Sequence, residues 1–232
     1  MKRYAISDIH GCVRTFEALL DTIALSTGDR LFLLGDYIDR GPGSKEVIDL
    51  ILKLKEEGYQ VHCLLGNHES LLLNALGGLV ADQHLWLNNG GGATLKSFGL
   101  SSAASPHLIP EKYINFLERL EWYFETEGYI LVHAGLDFRM ADPLEGRNPL
   151  IWIRNWYENI NREWLQGRVV VHGHTPTPRP MIEKQLKRLD RVPALDIDAG
   201  CVFNSNFFRH LCAFDLDGRQ LYFQTNIDAN ES

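Results

Sequence analysis

Five apolar runs in this sequence each end in side chains able to hold a metal ion. Residues 4–9 lead to Asp8 and His10, 30–34 to Asp36, 61–65 to Asn67, 129–132 to His133 and 168–171 to His174. Asp8 and His10 are two apart, so in an extended segment they point to the same side. Oxygen and imidazole ligands without cysteine suit Mn, Fe, Zn or Co rather than a closed structural zinc. The ligands are too many for one catalytic ion with an open position. Two ions sharing a bridging aspartate fit, and two-metal sites are typical of phosphoester hydrolysis.

The stretch 33–44, LLGDYIDRGPGS, releases Asp36, Asp39 and Arg40 together from the end of a buried run. Burying such charges is costly unless they are paired. The natural pairings are carboxylate with metal cation and arginine with bound anion. A second arginine, Arg154, stands alone in the apolar segment LIWIRNWY, 150–157. A structural carboxylate and a substrate anion are both open as its partner.

The elements that must position these groups follow from periodicity. Val13, Phe16, Leu19, Leu20 and Ile23 are spaced as one face of a helix, as are Val47, Ile48, Ile51 and Leu52 in a helix capped by Ser44. Strands at 4–9, 30–34 and 61–65, joined by these two helices, predict a parallel sheet covered by helices. Ligands bind at the carboxyl ends of such strands. Residues 70–121 read as a helical insertion beside the site, interrupted by the glycine-rich NNGGGATL and a Ser/Ala/Pro-rich break at 101–110. Trp86, within it, reads as core. Further strands are expected at 129–132, 168–171, 194–197, 211–216 and 220–225, with Asp217-Gly218 as the turn of a closing hairpin.

The chain has 232 residues, 45% of them hydrophobic, and a net charge of −7. One domain spanning 1–232 can bury a sizeable core. The acidic balance argues against general binding of nucleic acid or of anionic membranes. Cys12, Cys63, Cys201 and Cys212 have no CxxC spacing and read as buried, reduced thiols of a cytoplasmic protein. MKRYAISD meets an aspartate before a signal-type apolar region forms, and no apolar run approaches membrane-spanning length. No heptad seam calls for an obligate assembly, so a monomer is expected.

DIHG, GDYIDRG, GNHE, HAG and GHT, in this order, resemble the phosphoprotein phosphatase superfamily of metallophosphoesterases, from Asp8 to about His174. The bacterial and phage-type serine/threonine protein phosphatases, often dual-specificity, match best, and NGGGATL and DIDAGCVF are similar to that branch. Ser7 stands where many members have Gly. Pro176 replaces the second histidine of the GHxH seen in nucleases and phosphodiesterases. The resemblance implies a calcineurin-like four-layer α/β/β/α sandwich. It implies two divalent ions, manganese first, with Asp8, His10 and Asp36 on one and Asp36, Asn67, His133 and His174 on the other. It assigns phosphoryl binding to Arg40 and Arg154, with Arg139, Arg147 and Arg162 competing for the second place. It makes His68 the general acid, oriented and kept protonated by Asp39, and a metal-bridging hydroxide the nucleophile. His172 reads as a supporting residue. Asp196, Asp198 and Glu69 are open between supporting the ligating histidines and structural or solvated roles.

The activity expected from this resemblance is that of a serine/threonine protein phosphatase acting on a phosphorylated protein or peptide. The alternative is a symmetrical diadenosine tetraphosphatase, which shares most of the motifs. That family usually lacks the second aspartate of GDxxDRG and carries GNHD, so Asp39 and Glu69 favour the phosphomonoesterase. A silent binding module is disfavoured by the intact ligand set, and a purely structural metal protein by the lack of cysteine ligands.

Overall fold

Strands of four residues deliver the expected side chains at their carboxyl ends. The computed structural model describes residues 1–205 and 207–228. In chain order the elements are β1 (Arg3–Ile6), α1 (Val13–Thr22), β2 (Arg30–Leu33), α2 (Ser44–Glu56), β3 (Gln60–Cys63), α3 (Asn67–Ala75), α4 (Val80–Trp86), α5 (Gly92–Ser97), α6 (Glu111–Leu117), β4 (Tyr123–Thr126), β5 (Tyr129–Val132), α7 (Arg147–Trp152), α8 (Arg162–Leu165), β6 (Val169–His172), α9 (Arg179–Leu186), β7 (Ala194–Asp196), β8 (His210–Asp215) and β9 (Gln220–Thr225).

They form two sheets, one ordered β3-β2-β1-β8-β9 and the other β4-β5-β6-β7. β1, β2 and β3 are parallel, as are β5, β6 and β7. β8 and β9 form the expected antiparallel hairpin beside β1. Period-two alternation divides the apolar side chains between two cores. Ala5, Phe32, Leu131, Val171 and Phe214 belong to a cluster shared by both sheets, while Tyr4, Ile6, Leu31 and Leu33 pack with Phe16 and Leu19 of α1 and Val47 and Ile51 of α2. This is the calcineurin-like sandwich that the resemblance implied.

Two details depart from expectation. Ser44 does not cap α2: Gly43 holds the cap position, and Ser44 Oγ instead accepts a hydrogen bond from the Asp39 backbone N–H. β4 and α9 lie where no element was expected; β4 alternates exposed and half-buried positions, and α9 buries only Ile182, so neither has a strong apolar period. Residues 67–117 carry α3, α4, α5 and α6 and no strand, and α3 packs closely on α4. The four cysteines are free and buried. Among the described residues no helix is long and apolar enough to cross a membrane.

Candidate dinuclear metal centre

The loops leaving β1, β2, β3, β5 and β6 converge at one edge of the two sheets. Asp8, His10, Asp36, Asn67, His133 and His174 are all buried there, with His68 and Asp39. Ligand atoms of His10, Asp36 and His68 lie within 4.8 Å of one another, and so do those of Asp36, His133 and His174. Asp36 therefore stands in both groups, as a bridging carboxylate must. Asn67 Oδ1 completes the second group, 3.0 Å from His133 Nε2 and 2.8 Å from His174 Nδ1. Asp8 lies beside them, its Oδ2 accepting from Ser7 Oγ and from the His174 backbone N–H.

Backbone contacts fix which nitrogen each histidine offers. His10 Nδ1 is 2.8 Å from the Ile38 carbonyl and His133 Nδ1 is 2.8 Å from that of Leu34. Each Nδ1–H donates outward, which leaves Nε2 as the lone-pair nitrogen facing inward.

The residues fit a pair of cations on two grounds. Among the described residues, His68 Nε2 and His174 Nε2 are buried with no hydrogen-bond partner, an arrangement that is costly unless something else meets these atoms. Burial, then the neighbouring Asp8, pushes the Asp36 carboxyl well above its ordinary range. Asp198 is driven the same way by the same two causes. Cations relieve that concentration of carboxylates.

His68 and Asp39 form the second working unit. His68 Nδ1 lies 2.7 Å from Asp39 Oδ2, and Nε2 points toward Asp36 Oδ2 at 4.0 Å. Asp39 also accepts from Trp86 Nε1 at 3.1 Å and Thr94 Oγ1 at 2.6 Å. Trp86 is core, as expected, but its indole N–H works for the site. Burial, then the Arg40 guanidinium, pushes His68 down to about 2, while burial pushes Asp39 up to about 7 against the donors from Thr94 and Trp86. Desolvation opposes the charged form of each partner.

The two arginines stand on different sides of the centre. An Arg40 guanidinium nitrogen is 2.7 Å from His10 Nε2. The Arg154 guanidinium donates to Thr175 Oγ1 at 3.0 Å, and its charge is among those that lower His174. The competitors are engaged elsewhere: Arg139 with Asp137, Arg147 over the Trp122 ring, and Arg162 with the carbonyls of Asp190 and Arg191. His172 stays off the centre. Its Nδ1–H donates to the Gly173 carbonyl, and its Nε2 accepts from the Tyr157 hydroxyl at 2.6 Å.

Glu69, Asp196 and Asp198 are buried, which removes the solvated reading. Glu69 accepts from the backbone N–H groups of Asp36, Tyr37, Ile38 and Gly66. Asp196 accepts from Thr177 Oγ1 and the Asp198 N–H, and Asp198 from the Gly200 N–H. These carboxylates brace loops rather than the ligating rings.

Sequence reasoning missed the backbone conformation of the site. Asp8, His10, Asp36, Asp39, Arg40 and His174 all have positive φ, between 46° and 71°. Non-glycine residues seldom occupy this region, and they cluster where surrounding structure holds them for function. Only the neighbouring glycines hinted at it. A Cβ on Gly90 would fall 2.8 Å from Arg40 Cγ, so the glycine-rich turn is what lets its backbone pack against this arginine.

Comparison with known proteins agrees with this geometry. Residues 1–211 match the family described as calcineurin-like phosphoesterase. The chain is 37% identical to the symmetrical bis(5'-nucleosyl)-tetraphosphatase of Nitrosomonas europaea, over 75% of this chain and 67% of that protein. It is 27% identical to the asymmetrical bis(5'-nucleosyl)-tetraphosphatase PrpE of Oceanobacillus iheyensis, over 88% of this chain and 86% of that one. A protein serine/threonine phosphatase structure from Saccharomyces cerevisiae superposes with a TM-score of 0.70 at 12% identity, covering 100% of this chain and 82% of that one, a likeness of fold alone. The expectation of a serine/threonine or dual-specificity protein phosphatase is therefore corrected, because these curated relatives are dinucleotide hydrolases. The physical reason the discriminating residues misled is visible. Glu69 holds loop backbone, and Asp39 holds His68, Trp86 and Thr94, so neither directly reports what the substrate carries beyond its phosphates.

Proposed function

The chain belongs to the calcineurin-like phosphoesterase family, and on that premise we propose that it hydrolyses dinucleoside tetraphosphates symmetrically, giving two nucleoside diphosphates. The observation that carries this reading is the 37% identity to a symmetrical bis(5'-nucleosyl)-tetraphosphatase over 75% of the chain. The family implies divalent metals, and the His/Asp clusters provide for them. Manganese is taken first, as the resemblance implies, and the mixed oxygen and nitrogen donors equally suit Fe, Zn or Co.

When bound, the cations neutralise phosphoryl oxygens and make water acidic enough to act near neutral pH. Asp8, His10 and Asp36 hold the first, and Asp36, Asn67, His133 and His174 the second. Arg40 and Arg154 take oxygens of the polyphosphate from the two sides, as planar bidentate donors. Their fixed charge is stabilising where negative charge is redistributed in the transition state. His68, held by Asp39, presents Nε2 toward the leaving phosphate oxygen. In its acid-competent form the pair is neutral overall, with one proton on the Asp39–Nδ1 line and one on Nε2. Giving up the Nε2 proton while drawing the other onto Nδ1 leaves the charge on the Asp39 carboxylate, where the Trp86 and Thr94 donors receive it.

The test is a competition. Protein stripped of metal and reloaded with Mn²⁺ is given diadenosine tetraphosphate, a phosphoserine peptide and an aryl phosphate. The expected kcat/KM is highest for the dinucleotide. Fast release of phosphate from the monoesters with the dinucleotide spared contradicts the proposal.

A further inference from the structure

A dinucleoside polyphosphate has two ends, and the centre has two flanks. On the first flank, Arg40 touches His10 and opens into a recess of about 360 Å³ walled by Pro42, Lys96 and Val202. Phe203 stands beside it, 39% exposed, with its ring 5.8 Å from the Arg40 guanidinium. On the second flank, Arg154 and Thr175, next to His174, border a recess of about 400 Å³ walled by Tyr157, Thr177, Gln185 and Asp196. Both volumes fall in the range of roughly 300–1,000 Å³ typical of small-ligand sites.

We propose that these two arginine-headed recesses are separate nucleoside subsites, one for each end of the dinucleoside polyphosphate, an inference that rests on the function proposed above. The chemistry of each recess fits. On the first flank the half-exposed Phe203 offers a face for a base, and Lys96 adds positive charge along the polyphosphate. On the second, Gln185 Oε1 accepts from the Asp196 backbone N–H at 2.9 Å, which leaves the two N–H donors of Nε2 for a base edge or a ribose hydroxyl. The Tyr157 ring lines the same wall. A phosphomonoester on a peptide fills neither recess with a nucleoside. A chain of four phosphates places an arginine at each end of the bond to be broken and a recess beyond each arginine.

The test reads ratios of constants on the Mn²⁺-loaded protein. KM for diadenosine tetraphosphate is divided by KM for an aryl phosphate in the unaltered protein, in Phe203→Ala combined with Lys96→Ala, in Gln185→Glu, and in all three together. Gln185→Glu keeps the acceptor for Asp196 and removes the donors. The expected result is a rise in the ratio of about tenfold for each flank and about a hundredfold for both, the multiplicative pattern of independent sites. An unchanged ratio, or a rise from one flank only, overturns the two-subsite proposal while leaving dinucleotide hydrolysis intact. Inhibition of aryl phosphate hydrolysis by ADP and by pyrophosphate supplies a second reading that does not need the dinucleotide to be cleaved. ADP inhibiting no better than pyrophosphate also overturns the proposal. ADP inhibiting better in a protein that leaves the dinucleotide untouched overturns the parent function, and with it the two-ended assignment.

Discussion

His68 has one nitrogen fixed on Asp39 and the other buried without a partner among the described residues. Such an atom is retained where something arrives to use it. Replacement by Asn removes a proton donor while keeping a polar side chain, and a positioned acid is worth about 10²–10⁴ in rate. The loss is expected to be larger for an alkyl phosphate, whose strongly basic leaving oxygen depends most on the proton, than for the dinucleotide, whose less basic leaving phosphate depends on it less. Equal losses across leaving groups remove His68 from the acid role. His172 makes a separate prediction, because burial holds it neutral and lowers it from 6.5 to about 4. Between those values the unfolded chain takes up a proton that the folded chain refuses. The stabilisation is complete above pH 6.5 and is lost as pH falls through 4, a span worth up to about 3 kcal/mol. Urea unfolding of the metal-free protein at pH 7 and pH 4.5 should show a smaller acid-induced loss in His172→Gln than in the unaltered chain. Identical losses mean that His172 titrates as it would in water.

The loop after β2 and the N-terminus of α3 are locked to each other. Glu69, on the first turn of α3, gathers backbone N–H groups from both. Gly66 sits where a Cβ would fall 2.2 Å from Asp36 Oδ1 and 2.4 Å from Asp36 N. Gly66→Ala must therefore push the bridging aspartate aside. It is expected to destabilise the fold by about 1–3 kcal/mol, the usual range for overpacking, and to lower manganese content measured by elemental analysis. Full metal content in a folded Gly66→Ala protein contradicts the placement of Asp36 between two ions. The elements that carry ligands were the readable ones. β1, β2, β3, β5 and β6 have buried apolar runs that stop at Gly, Asp or His, and a strand must end where its apolar residues do. β4, with an alternation too weak to mark it, and α9, with one buried residue, were not readable. The left-handed backbone at Asp8, His10, Asp36 and His174 was not readable either, because it is imposed by loops packing across the chain. The neighbourhood of Arg154 was not readable either, because the sandwich brings Thr175 to it from a distant part of the chain.

At the scale of the molecule, two sheets bring five strand ends to one edge, and the same architecture serves relatives with different substrates. The ligand motifs were legible because metal chemistry restricts residue types at each position. The substrate was not, because it depends on surfaces beyond the phosphates. Asp39 and Glu69 looked like markers of substrate class, and the structure makes them braces of His68 and of the loops. The measurement that bears most directly on the account is the identity of the products. The Mn²⁺-loaded protein is incubated with diadenosine tetraphosphate and the nucleotides are separated and quantified. The account predicts ADP alone, two per substrate consumed, and no reaction after the metal is chelated. AMP and ATP in equal amounts, or an untouched dinucleotide beside a rapidly hydrolysed phosphopeptide, would contradict it.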